Sequence, residues 1–134
     1  MRYCLDTNVV SDFMRNKYNV RQRVKAAVDA NDEIAICTIV HYEIIRGLRA
    51  VNSKNKMAEY LRIYNNDRIL KLPPLDYVAM EKAAEIHVSL RRGQQIEDND
   101  IYIAAAAIVN GCTLVTANDK HFSRIDGLNV ENWR

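Results

Sequence analysis

Asp6 closes the short apolar run RYCL and is followed at once by Thr7 and Asn8. Glu43 lies five residues past Thr38, which ends a second apolar run, EIAICT at 33–38. Asp100 stands at the head of a long apolar segment, IYIAAAAIVNG. Asn118 and Asp119 directly follow a third run, TLVT at 113–116. Several carboxylates cannot stay ionised close together unless something offsets their repulsion. A divalent cation with oxygen ligands is the natural partner. Magnesium typically takes one or two carboxylates, keeps several waters and engages substrate phosphate. Should these groups meet, their chemistry is metal-assisted phosphoryl transfer or phosphodiester hydrolysis.

Each group also has a purely structural role open to it. Asp6 can end a strand and accept hydrogen bonds from the following turn. Glu43 can pair with Arg46 at i,i+3 on a solvent face. Asp100 can complement a helix dipole, with Asp98 or Asn99 as the cap. Asp119 can cap the segment DKHFSR. What weakens these readings is that all four are needed at once. The basic residues divide in the same way. Arg15, Lys17, Arg21, Arg23 and Lys25 cluster early and read as a solvated face. Arg46 and Arg49 follow Glu43, while Lys120, His121 and Arg124 follow Asp119, which suits them to phosphate contacts at a shared site. Tyr42 and Tyr102 neighbour the acids and can either pack or stack on a base.

The elements that must position these groups are legible in outline. Residues 2–6 read as a buried strand, with Asn8 as the cap of a short helix at 9–16. Val20, Val24, Ala27 and Val28 form the stripe of an amphipathic helix at 20–31. After the strand at 33–38, Val40, Ile44, Gly47 and Leu48 share one helix face up to Ala50. Glu43 then sits about 7 Å of axial rise past Thr38 and can face the edge that Asp6 occupies. A helix at 54–67 precedes a brief strand, RILKL, and Pro73 and Pro74 break the chain. The next helix starts from an Asp76 cap and stops at Gly93. The apolar helix led in by EDND takes Gly111 as its C-cap, before a fourth strand at 113–116 and a fifth in LNVEN.

Strands alternating with helices predict an α/β domain with a mostly parallel sheet of four to five strands. In such sheets ligands bind beyond the carboxyl ends of the strands, and every acid above falls there or in the first turns of a helix. The 134 residues fit one domain, 1–134, with a real core. A net charge of +2 permits a nucleic-acid partner without arguing for one. Neither a membrane-spanning apolar stretch nor a signal peptide is visible. Cys4, Cys37 and Cys112 are widely spaced in or beside apolar runs and read as reduced core thiols, so the expected location is the cytoplasm. His41, His87 and His121 show no zinc-ligand spacing with them.

Taken together, LDTN at 5–8, the E-x-x-x-G of Glu43–Gly47, NDIYIAAAA at 99–107, LVTAN at 114–118 and HFSRIDGLNVENW at 121–133 resemble the VapC-like PIN-domain ribonucleases. These are toxins of type II toxin–antitoxin systems, and the resemblance runs almost the full length of the chain. It implies a three-layer α/β/α sandwich and magnesium- or manganese-dependent endoribonuclease activity on tRNA or ribosomal RNA, which blocks translation. It also implies a homodimer and a VapB-type antitoxin that covers the acidic site. The family's first acid matches Asp6, the glutamate of its second motif Glu43, and its third acid Asp100. Glu97 stands where the family usually has Gly, which adds negative charge. The fourth position is Asn118, and the sequence leaves open whether Asn118 or Asp119 serves there. On this reading Asp6 and Asp100 bind Mg²⁺ directly and Glu43 completes the pocket. Thr7, Asn8, Thr116, Asn118 and Asp119 support it, and Arg46, Lys120 and His121 contact RNA. Two other readings stay open. In one, Asp6 is the nucleophile of a phosphatase or phosphotransferase, although the second Asp such enzymes need is here Asn8. In the other, the chain is a non-catalytic module that binds RNA or a protein partner.

Overall fold

The computed structural model describes residues 1–91 and 93–134. Among these, the elements run β1 (Arg2–Leu5), α1 (Thr7–Met14), α2 (Val20–Asp29), β2 (Glu33–Ile36), α3 (Thr38–Ala50), α4 (Lys54–Tyr64), β3 (Ile69–Lys71), α5 (Tyr77–Ser89), α6 (Asp98–Val109), β4 (Thr113–Val115), α7 (Asp119–Phe122) and β5 (Asn129–Glu131). The five strands form one sheet in the order β3-β2-β1-β4-β5, and every pairing is parallel. β1 is central, with Tyr3 opposite Ile34 on one side and Thr113 on the other. The inner strands are covered on both faces, which is why they read as unbroken apolar runs rather than alternating patterns.

The chain winds from β1 out to β2 and β3, then crosses back to build β4 and β5 on the other side of β1. Right-handed crossovers run in opposite directions place their helices on opposite faces. The architecture is the three-layer α/β/α expected. The reversal falls between β1 and β4, and the crevice beyond their carboxyl ends is where sheets of this kind bind ligands.

The core is formed by the sheet residues Cys4, Ile34, Ile36 and Leu114, with Val10, Val40, Tyr60 and Phe122 packed over them. Helix α6 is enclosed more completely than the rest. Ile101, Ile103 and all four alanines from Ala104 to Ala107 are buried, and the helix packs against α5, α3 and β4. Gly111, at φ +65°, follows the C-cap Asn110 and turns the chain into β4. Cys4, Cys37 and Cys112 are buried, free thiols. No helix among the described residues is long and apolar enough to cross a membrane.

Several boundaries differ from the expected ones. Asn8 does not cap the first helix. Asp6 is the N-cap and its Oδ1 accepts from the Thr7 N–H at 2.8 Å, so α1 begins at Thr7. Asp98 and Asn99 are not caps either, since both lie inside α6 behind Glu97. Asn118, rather than Asp119, holds the N-cap position of α7. Helix α4 ends at Tyr64, short of residue 67, where the Asn66 side chain accepts from the Arg68 N–H at 2.9 Å and turns the chain. Helix α5 stops at Ser89 rather than running to Gly93, because Leu90 turns to an extended backbone (ψ 128°) while staying buried.

Candidate active site

Asp6 emerges from the end of β1 with its backbone N–H donating to the Val115 carbonyl of β4 at 2.9 Å. Its carboxylate is only 4% exposed. Oδ2 accepts from the Thr116 hydroxyl at 2.7 Å and from Asn8 Nδ2 at 3.3 Å. Thr116 in turn accepts from the Asn118 N–H at 3.0 Å, and Asn8 Oδ1 accepts from the Ala117 N–H at 3.1 Å. Thr116 and Asn8 therefore lash the loop after β4 to the start of α1 with Asp6 between them. Both oxygens of a buried carboxylate are satisfied, as its burial requires.

Glu43 arrives from the second turn of α3. It is half-buried, and its Oε1 accepts from the Thr7 hydroxyl at 2.8 Å. Thr7 thus fixes Glu43 beside Asp6. Asp100 enters from the first turn of α6, whose buried alanine face holds that turn against the sheet. No protein donor is aimed at its carboxylate among the described residues.

The electrostatics show that the three acids share one field. Burial raises the Asp6 carboxyl above its ordinary value, and Glu43 adds to the rise against the bonds from Thr116, Thr7 and Asn8. Asp100 is pushed up to about 6, first by burial and then by the charges of Asp6, Glu43 and Glu97, with His121 opposing. Asp6 and Asp100, both raised, together with the Glu43 carboxylate form an all-oxygen donor set suited to a hard cation. Among the described residues no three His, Cys, Asp or Glu side chains are grouped tightly enough to enclose an ion unaided. The carboxylate oxygens themselves suit magnesium or manganese better than zinc, which favours nitrogen and sulfur ligands.

The remaining expected residues lie at different distances from this centre. His121, exposed on α7, is near enough for its charge to act on Asp100. Lys120 is exposed beside it. Asn118 is exposed, and its backbone rather than its side chain ties into the network. Asp119 accepts from Asn132 Nδ2 at 3.2 Å and so is joined to the segment after β5. Arg46 does not pair with Glu43. It lies over the Tyr42 ring at 4.9 Å and donates to the Tyr42 hydroxyl at 3.3 Å, on an exposed face. Tyr102 is half-buried on α6. Sequence reasoning missed one buried acid, Asp12, which takes Arg134 Nε at 2.8 Å and Nη2 at 3.2 Å. It also missed a groove that opens from Thr7 and Glu43 between α1, α3 and α4. Gly47, read from the sequence as part of the helix face with Val40, Ile44 and Leu48, lines it.

The PIN domain family profile matches residues 3–128. The chain is 32% identical over 138 residues to ribonuclease VapC2 of Rickettsia felis, covering 99% of this chain and 98% of that protein. It is 28% identical over 137 residues to the tRNA(fMet)-specific endonuclease VapC of Shigella flexneri, with the same coverage. Among solved structures it resembles a chain of VapBC2 from Rickettsia felis bound to a promoter DNA fragment, with a TM-score of 0.85, 29% identity and complete coverage of both chains. With the family profile, the fold and near full-length similarity in agreement, the chain is a VapC-like member of the PIN-domain family.

Proposed function

We propose that the chain is a metal-dependent endoribonuclease, the toxin of a type II toxin–antitoxin pair. The observation that carries this reading is the convergence of Asp6, Glu43 and Asp100 in one field beyond β1 and β4. The names of the VapC relatives support it. Asp6 and Asp100 are the proposed direct ligands of Mg²⁺, with Mn²⁺ as an alternative, and Glu43 completes the pocket. When bound, the ion supplies an acidified water and offsets charge on the attacked phosphodiester. Thr7 holds Glu43, and Thr116 and Asn8 hold Asp6, so the acids are preset before any substrate arrives. Lys120 and His121 flank the opening and are proposed to bind RNA phosphates. Arg46, turned onto Tyr42, is proposed to act at the rim.

The proposed substrate is structured RNA, tRNA or ribosomal RNA, cut in the cytoplasm so that translation stops. The proposed partners are a VapB-type antitoxin, which the VapBC neighbour supports, and a second copy of the chain. Purified Asp6→Asn protein is expected to fold normally and lose at least about 100-fold in RNA cleavage with Mg²⁺ present. Cleavage by Asp6→Asn at the wild-type rate would falsify the assignment. Mapping 5′ ends of cellular RNA after brief induction, with Asp6→Asn as control, identifies the target.

A purely binding role for the same acids is separated by titration: wild-type protein with no Mg²⁺ or Mn²⁺ affinity favours it. A phosphatase reading has less support. Asn8, at the place of the second Asp, is already committed to Asp6 and to the Ala117 N–H.

A further inference from the structure

The chain has four glycines, and three of them, Gly93, Gly111 and Gly127, sit at positive φ, where glycine is the residue that fits. Gly47 does not. It lies inside α3 with ordinary helical backbone, and a Cβ built on it meets nothing within 4 Å. Glycine within a helix costs stability relative to alanine. Neither the local backbone nor a close approach within the protein calls for it here. The space it leaves open faces outward, into the groove of about 380 Å³ between α1, α3 and α4. That volume is within the range of small-ligand sites.

The groove is continuous with the acidic centre. Thr7 and Glu43 line one end, and Gly47 lies on the same helix face one turn beyond Glu43, about 6 Å along the axis. Ile44 and Leu48 give it an apolar floor, and Val51, Arg15 and Lys56, all exposed, stand on its walls. Glu59, a turn after Lys56, offers an acceptor to a base amino group rather than a partner for phosphate. Cations at the walls, an apolar floor and the catalytic acids at one end match a nucleotide chain: phosphate to Arg15 and Lys56, base over the floor.

We propose that Gly47 keeps clear a subsite for the ribonucleotide adjoining the scissile phosphate, and that Arg15 and Lys56 hold the phosphate that follows. This rests on the nuclease reading above. The two fail differently in one experiment. Wild-type, Gly47→Ala and Gly47→Leu proteins are compared, with Mg²⁺ or Mn²⁺, on bulk cellular RNA and on bis-p-nitrophenyl phosphate, a diester with no neighbouring nucleotide. Gly47→Leu is expected to raise KM for RNA about tenfold while hydrolysing the small diester within about twofold of wild type. Gly47→Ala is expected to fall between them and to melt no lower than wild type. Arg15→Ala is expected to raise the same KM and to flatten its salt dependence.

An unchanged RNA KM in Gly47→Leu overturns the proposal and leaves the groove to a polypeptide occupant. An equal loss on both substrates also overturns it, because the substitution then acts by distorting Glu43. An unchanged salt slope in Arg15→Ala removes the strand path past α1. Wild-type protein inert on both substrates removes the nuclease reading and the subsite with it.

Discussion

Asp100 carries a carboxyl pushed from 3.8 up to about 6, by burial first and then by the charges of Asp6, Glu43 and Glu97. Between those values the folded chain holds this proton more tightly than the unfolded chain does. Stability therefore falls as pH rises through that window, and the cost persists above it. Solvent screens the half-exposed group, leaving about 1 kcal/mol. In chelator, Asp100→Asn is expected to melt higher than wild type at pH 7 and to lose that advantage near pH 4, and with Mg²⁺ supplied it is expected to cleave no RNA. A calorimetric scan at both pH values checks this, and an Asn variant less stable at pH 7 would refute it. The acids themselves could be picked out from the residue order, because each follows a strand or lies in the first turns of a helix. The hydrogen bonds that hold them could not. Thr116 reaches Asp6 across 110 positions of sequence, and nothing local to either residue records that.

At the scale of elements, α6 shows how composition sets position. A helix apolar on all sides must be buried on all sides, and the small side chains of Ala104 to Ala107 let the sheet, α5 and α3 close around it. Ala105, at 0% exposure, has no room to grow. Ala105→Leu is expected to destabilise by about 1–3 kcal/mol and to weaken cleavage, since the first turn of the same helix presents Asp100. Urea unfolding together with activity per folded molecule tests both. In α3 the opposite holds: Gly47→Ala adds a methyl where nothing opposes it and is expected to stabilise by about 0.5–1 kcal/mol in the same urea measurement. Helices and strands were legible here because hydrophobic periodicity is a local property. Their ends were less so, since Asp6 serves as cap and site residue at once and Leu90 leaves its helix to stay in the core.

For the molecule as a whole, the ion pair between Asp12 and Arg134 ties α1 to the segment after β5, across 122 positions. Asp12 is 3% exposed, and Arg134 also lies over the Tyr18 ring at 4.6 Å. Removing the guanidinium leaves a buried carboxylate unpaired, so Arg134→Ala is expected to destabilise by about 2 kcal/mol. Activity per folded molecule should not change, because the pair does not touch the acids. A thermal melt beside an RNA-cleavage assay distinguishes the two effects. The residue order by itself determined the alternation of strands and helices, the α/β class and the placing of Asp6 at a strand end and of Glu43 and Asp100 in the first turns of helices, all of which depend on spacing along a few turns. Only the tertiary structure decided that β1 lies between β2 and β4, that Thr7 grips Glu43, and that α1, α3 and α4 enclose a groove over Gly47. Those features depend on which faces pack against each other, and packing joins side chains whose separation along the chain carries no periodic signal.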